Sequence, residues 1–135
     1  MIELEQARLR LEELGLGQAA QELDAKLEAA GRTQSTYLSF LNELLEAELF
    51  ERQRRNVEVR MKLSHLPYRR TLNEFDFSFQ PGLDERLIRE LAALTFVGRQ
   101  ENVIFLGPPG VGKTHLAVAI AMEAIGQGLP VYFVS

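Results

Sequence analysis

Eight residues constrain this chain more than any other stretch: Gly107-Pro108-Pro109-Gly110-Val111-Gly112-Lys113-Thr114. They fit the pattern G-x-x-x-x-G-K-[ST], which has a mechanism only between a strand and a helix. The flanks predict both. Val103-Ile104-Phe105-Leu106 is an apolar run stopped by a Gly-Pro-Pro-Gly turn, the pattern of a buried strand. Lys113 to Ile125 is apolar nearly all round, which predicts a helix buried on more than one face, and Gly126 and Gly128 stop it. Val131-Tyr132-Phe133-Val134 reads as a second buried strand.

The chemistry of such a loop follows from geometry. Gly107, Gly110 and Gly112 let backbone N–H groups curl around a β-phosphate without Cβ clashes. The helix that follows aims its positive end at the same anion. Lys113 reaches the β- and γ-phosphates, and the Thr114 hydroxyl is the candidate Mg²⁺ ligand. Pro108, Pro109 and Val111 complete the loop. His115 is carried as a candidate on the first helical turn, although a lone His there is more often a packing or capping group. Binding is not hydrolysis. A working NTPase also needs an acid after a second apolar strand. Val131–Val134 is followed by Ser135, so that acid is absent and whether the chain is an enzyme stays open.

The N-terminal part reads as helices. Leu4, Ala7, Leu11 and Leu14 share one helical face, punctuated by Gly15 and Gly17. Leu16, Ala20, Leu23, Leu27 and Ala30 repeat the pattern, with Gly31 suited to the helix end. Thr33, Ser35 and Thr36 offer N-caps to a third helix, striped by Leu38, Leu41, Leu45 and Leu49. It should run over about 35–65, roughly 45 Å, until Pro67 ends it. Residues 68–82 look like an irregular connector, in which Phe75, Phe77 and Phe79 alternate with polar residues as in a short strand or extended segment. Leu83, Leu87, Ile88, Leu91 and Leu94 mark a short amphipathic helix. The expected organisation is a helical domain over 1–66, a connector over 67–82 and a nucleotide-binding core over 83–135. The expected fold class is α/β: an all-helical N-terminal domain, then the truncated beginning of a P-loop NTPase βαβ core.

Composition removes other classes. There is no Cys and only 2 His, which excludes a disulfide scaffold or a Cys-ligated zinc site and leaves a multi-His metal site poorly supported. No apolar run approaches the roughly 18 residues of a membrane span, and the first ten residues do not read as a signal peptide, so a cytoplasmic location without membrane contact is expected. The net charge of −4 hides an asymmetry: residues 1–50 carry −6, residues 51–71 carry +5 and residues 72–135 carry −3. Arg52, Arg54, Arg55, Arg60 and Lys62 make a basic stretch on the third helix. It is either a surface for duplex phosphates or a solvated face laced with the ion pairs Glu51–Arg55 and Glu58–Lys62. No aromatic interleaves it, so stacking on bases is unsupported.

From Leu38 onward the sequence resembles the IstB-like ATP-binding proteins, AAA+ helper ATPases encoded beside certain transposases and related to the DnaC and DnaI helicase loaders. The resemblance is carried by Tyr37-Leu38, Phe40-Leu41, Leu44-Leu45-Glu46-Ala47-Glu48, Arg52 and Arg54-Arg55. It continues through Leu66-Pro67, Thr71-Leu72, Phe75-Asp76-Phe77-Ser78-Phe79-Gln80-Pro81, Glu101-Asn102-Val103, and Gly107 through Ala117. It implies ATP and Mg²⁺ as ligands, and double-stranded DNA, a transposase and further copies of the full-length protein as partners. It places Phe75 and Asp76 beside the nucleotide base. It also implies that the two apolar runs are not neighbours in the sheet, and that an acidic motif, a sensor residue and an arginine finger lie beyond the matched stretch, so this chain reads as an N-terminal fragment. A helicase-loader fragment and a non-enzymatic helical module that binds DNA or a partner are the alternative readings.

Ground-state contacts to phosphate bind but do not accelerate; turnover needs charge and water positioned for the transition state. Phosphate release by the 135-residue chain, with or without DNA, should therefore stay at background. Lys113-dependent release above it would place the catalytic groups within these residues.

Overall fold

A computed structural model describes residues 2–135. The order of elements is α1 (Ile2–Glu13), α2 (Gly17–Thr33), α3 (Tyr37–Ser64), two 3₁₀ turns (Leu72–Glu74 and Phe77–Phe79), α4 (Glu85–Ala92), α5 (Thr95–Gly98) and α6 (Lys113–Gly126). They fall into two compact units, one ending at Asn56 and the other running Val57–Ser135. None of the helices is long and apolar enough, among the described residues, to cross a membrane.

In the first unit α1 stops where Gly15 turns left-handed, φ 77°. Gly31 does not end α2, which runs on to Thr33. The chain leaves the helix at Gln34, φ 53°, whose N–H returns to the Ala30 carbonyl. An interior glycine costs only about 1 kcal/mol, too little to stop a helix held by packing. The Thr36 hydroxyl accepts the Ser39 N–H at 3.1 Å and so caps α3. Ala19, Leu23 and Leu44 form the core, packed by Leu4, Ala7, Leu11, Leu16 and Phe40. Glu48, only 2% exposed, reaches from α3 to accept the Gln18 N–H at 3.1 Å. That donor belongs to the first turn of α2, where unsatisfied N–H groups and the helix dipole favour an anion.

The second unit is organised by α6, whose Leu116, Val118, Ala119, Ile120, Ala124 and Ile125 are all buried. One side meets Leu72 and Ile88. The other meets Leu94, with Phe96, Leu129 and Val131 around it. Burial on two sides is what the all-round apolar sequence of this helix predicts. Asp84 caps α4 through the Arg86 N–H at 3.0 Å, which directs Ile88 onto α6. At the end of α3, Ser64 is fully buried, and its carbonyl accepts the Phe133 N–H at 2.7 Å.

The α/β expectation is corrected here. Among the described residues there is no strand and no sheet. Val103–Leu106 and Val131–Val134 carry no regular structure. Phe105 and Val131 pack on the core, but Ile104 and Leu106 are 78% and 89% exposed, and Tyr132 and Val134 are 70% and 76% exposed. The physical reason is that a strand exists only through a neighbour. Its N–H and C=O groups point sideways and need a paired ladder, and the two runs form none with each other. The aromatic stretch is corrected as well. Phe75, Phe77 and Phe79 belong to no strand; Phe77–Phe79 is a 3₁₀ turn started by Asp76, whose carboxylate accepts the Ser78 N–H at 3.0 Å.

Two truncations separate these placements. Ile125→Ala, at a site with 0% exposure, should cost about 2–5 kcal/mol. Ile104→Ala should stay within about 0.5 kcal/mol, as for exposed sites generally. Thermal unfolding followed by helical circular dichroism reads both; equal losses would contradict the exposed placement of Ile104.

Candidate functional site

The glycine loop meets α6 end-on. Gly110 and Gly112 adopt φ 82° and 96°, the left-handed region that side chains resist. Gly112 has a second reason to lack a Cβ: such an atom would stand 2.5 Å from Phe75 Cε2. Gly112 is also the N-cap of α6, and its carbonyl accepts the Leu116 N–H at 3.0 Å. Pro108 and Pro109 have no N–H, so the donors of the turn belong to the residues from Gly110 onward. The Lys113 ammonium donates to the Gly107 carbonyl, curling the side chain back over the loop it follows. Thr114 is exposed on the first turn of α6, with its hydroxyl at the positive end of the helix.

An aromatic and a histidine brace this loop from the connector. The Phe75 ring contacts Phe77 edge-on at 4.9 Å and His115 edge-on at 5.1 Å. His115 Nε2 lies 3.1 Å from the Thr71 carbonyl. Thr71 in turn is held by Glu74, whose carboxylate accepts both its N–H and its hydroxyl at 3.1 Å. The backbone N–H of Thr71, first, and its hydroxyl, second, hold the Glu74 carboxyl below its ordinary range, with Arg70 and His115 adding to the effect. A depressed carboxylate contributes its stability above the unfolded value and loses it as the pH falls through the folded one. The Glu74–Thr71 contact therefore contributes at neutral pH and loses its contribution in acid.

A cavity of about 230 Å³ opens beside the loop, lined by Gln80, Leu83, Phe105, Val111, Lys113 and Leu116 among others. The structure brings Gly107, Pro108, Val111 and Lys113 together around it, with the rest of the loop adjoining. Phe75 stands on Gly112, and Asp76 is engaged by Ser78; neither lines the cavity. Gln80 and Leu83, which do, were not singled out from the sequence. Leu83 reads there as part of an amphipathic helix, and Gln80 is a lone polar residue before a Pro-Gly turn.

The basic residues lie along α3. Arg52 reaches the Gly15 carbonyl at 3.3 Å. Glu51 pairs with Arg54 at 2.6 Å, rather than engaging Arg55 as the helical spacing suggests. That bond comes first among the influences lowering the Glu51 pKa, and Arg55 contributes at longer range. Glu58 meets Arg69 of the connector at 2.9 Å. Arg52, Arg55 and Lys62 are exposed and Arg60 is half-buried.

Residues 6–135 match the family of the IstB-like ATP binding protein. The chain belongs to this family. It is 52% identical over 116 residues to a protein of Geobacillus stearothermophilus named as an ATP-binding protein of insertion sequence IS5376, over 86% of this chain and 46% of that protein. It is 46% identical over 127 residues to its counterpart named for insertion sequence IS21 in Pseudomonas aeruginosa, over 94% of this chain and 46% of that one. A third relative, named for insertion sequence IS232 in Bacillus thuringiensis subsp. berliner, is 35% identical over 130 residues. This IstB-like chain spans about half the length of these relatives, between 46% and 52%.

The brace makes Gly112 the least replaceable residue of the loop. Gly112→Ala should lower the melting temperature and weaken ATP binding at least tenfold. Gly98→Ala, where an added Cβ meets nothing within 4 Å, should change neither. Titration calorimetry on both variants checks this, and unchanged ATP affinity in Gly112→Ala would refute the loop geometry.

Proposed function

We propose that the chain binds ATP with Mg²⁺ at the Gly107–Thr114 loop, as the nucleotide-binding part of an ATPase that supports the transposition of an insertion sequence. The observation that carries this reading is the loop itself: left-handed Gly110 and Gly112 delivering the chain into the N-terminus of a 14-residue helix, with Lys113 folded over the turn. The residues suit the ligand. Backbone N–H groups from Gly110 onward and the end of α6 take the β-phosphate, Lys113 exchanges the Gly107 carbonyl for the β- and γ-phosphates, and Thr114 holds Mg²⁺. The cavity walled by Leu83, Val111 and Leu116 receives the base, with Gln80 the polar group at its edge. Phe75 and His115 then act on the nucleotide through the loop rather than by touching the base.

The names of the relatives, each tied to an insertion sequence and to ATP binding, favour a transposase as the client over a replicative helicase. In this reading residues 1–66 serve assembly and DNA contact, 67–82 brace the loop and 83–135 hold the nucleotide. Arg52, Arg54, Arg55, Arg60 and Lys62 contact duplex phosphates without reading sequence.

Two measurements test the proposal. Lys113→Ala removes the mobile cation, so ATP affinity in an equilibrium titration should fall to the limit of detection; equal binding by both proteins would sink the site. Changing Arg52, Arg55 and Lys62 together to Glu should abolish retention of duplex DNA. Retention by the unaltered chain should drop steeply with salt, because each neutralised phosphate releases counterions. A salt-insensitive DNA complex would remove the basic stretch from the interface.

A further inference from the structure

Among the described residues that line the cavity beside the glycine loop, Lys113 and Gln80 carry the polar side chains; Leu83, Phe105, Leu106, Val111 and Leu116 make the remaining side-chain wall apolar. Lys113 is held at the loop by its bond to the Gly107 carbonyl. Gln80 is fixed through its backbone. Its N–H donates to the Phe77 carbonyl at 3.2 Å, and its own carbonyl accepts the Leu83 N–H at 3.0 Å. The 3₁₀ turn of Phe77–Phe79 thus ends on Gln80 and sets where the residue stands. Its side-chain amide has no hydrogen-bond partner among the described residues.

A few polar groups on an otherwise apolar wall are what orient a small molecule in its site. A side-chain amide offers one acceptor and a donor side by side. Adenine matches that pair on either edge, because its N6 amino donor is flanked by the acceptors N7 and N1. Guanine matches it on neither edge without cost. Its N7 and O6 are both acceptors. Its N1–H and O6 would pair, but that edge carries the N2 amino group against a wall with no acceptor side chain, and an unpaired buried donor is costly.

We propose that Gln80 is the residue by which this site selects adenine over guanine. The proposal rests on nucleotide binding at the Gly107–Thr114 loop and adds the group that reads the base. The loop and Lys113 meet phosphates, which every nucleoside triphosphate shares, so discrimination between bases falls to the rest of the cavity. There Gln80 is the side chain that can pair with a base edge.

Equilibrium titration with ATP, GTP and inorganic tripolyphosphate, each with Mg²⁺, tests this in the unaltered chain, Gln80→Ala and Gln80→Arg. The unaltered chain should bind ATP about tenfold more tightly than GTP, the discrimination of one good bidentate pair. Gln80→Ala should lose most of that ratio by weakening ATP alone. Gln80→Arg should reverse it, because two donors side by side match O6 and N7 of guanine. Tripolyphosphate carries no base and should bind all three proteins alike. With tripolyphosphate bound, three results would each overturn the proposal and leave the phosphate site standing: equal affinity of the unaltered chain for ATP and GTP, a ratio that survives Gln80→Ala, or an equal loss of ATP and GTP in that variant, as expected if Gln80 held the ribose. Failure of the unaltered chain to bind either ATP or tripolyphosphate would remove the phosphate site and this proposal with it.

Discussion

The contact between Phe75 and Gly112 is the constraint on which the site depends. A loop that cradles phosphate must keep its N–H groups pointing inward, which demands left-handed backbone at Gly110 and Gly112. Left alone, such a turn is soft. Here the Phe75 ring occupies the space a Cβ would take on Gly112, so the loop is held against the connector. His115, one turn into α6, ties the same connector through the Thr71 carbonyl. Glu74 fixes Thr71. The chain of contacts runs from a carboxylate through a backbone carbonyl and two rings to the residue that caps α6. Positioning of this kind reduces the ordering cost that binding must overcome.

Much of this was legible in the sequence, and the parts that were not share a cause. Most helix positions follow from local signals: the leucine periodicities, the Thr36 cap and the turn at Gly15 sit where the residues indicate, whereas Gly31 does not end α2. The loop and the helix after it are equally local. The strands were misread because a strand is a relation between segments. Val103–Leu106 has the composition of one, yet without a paired ladder its Ile104 and Leu106 stand in solvent. Phe75 shows the same limit at the site. Alternating aromatics suggest a short strand or extended segment, but Phe75 leads into a 3₁₀ turn and its ring meets Gly112, Phe77 and His115. Nothing in the sequence announces that Gln80 and Leu83 line the cavity, since their meeting with Val111 depends on the path of the connector.

The two units divide the physics. In the first, a small helical core leaves one face of α3 apolar and open, and the charge along that helix changes sign at Glu51–Arg52. In the second, six of the ten buried residues are on α6, so the helix that follows the glycine loop is also the one that holds its unit together. Residues at its start are free to serve the ligand because those at its middle and end secure it.

The central claim is that the backbone N–H groups of the turn, braced by Phe75, hold a nucleotide's phosphates. Amide hydrogen exchange resolved along the chain, with and without ATP and Mg²⁺, tests it most directly. The account predicts slowed exchange concentrated from Gly110 to His115 on adding ATP, and no such change with adenosine, which brings a base but no phosphate. Exchange across Gly110–His115 that is the same with ATP as without, under conditions where ATP binding is saturated, would contradict it.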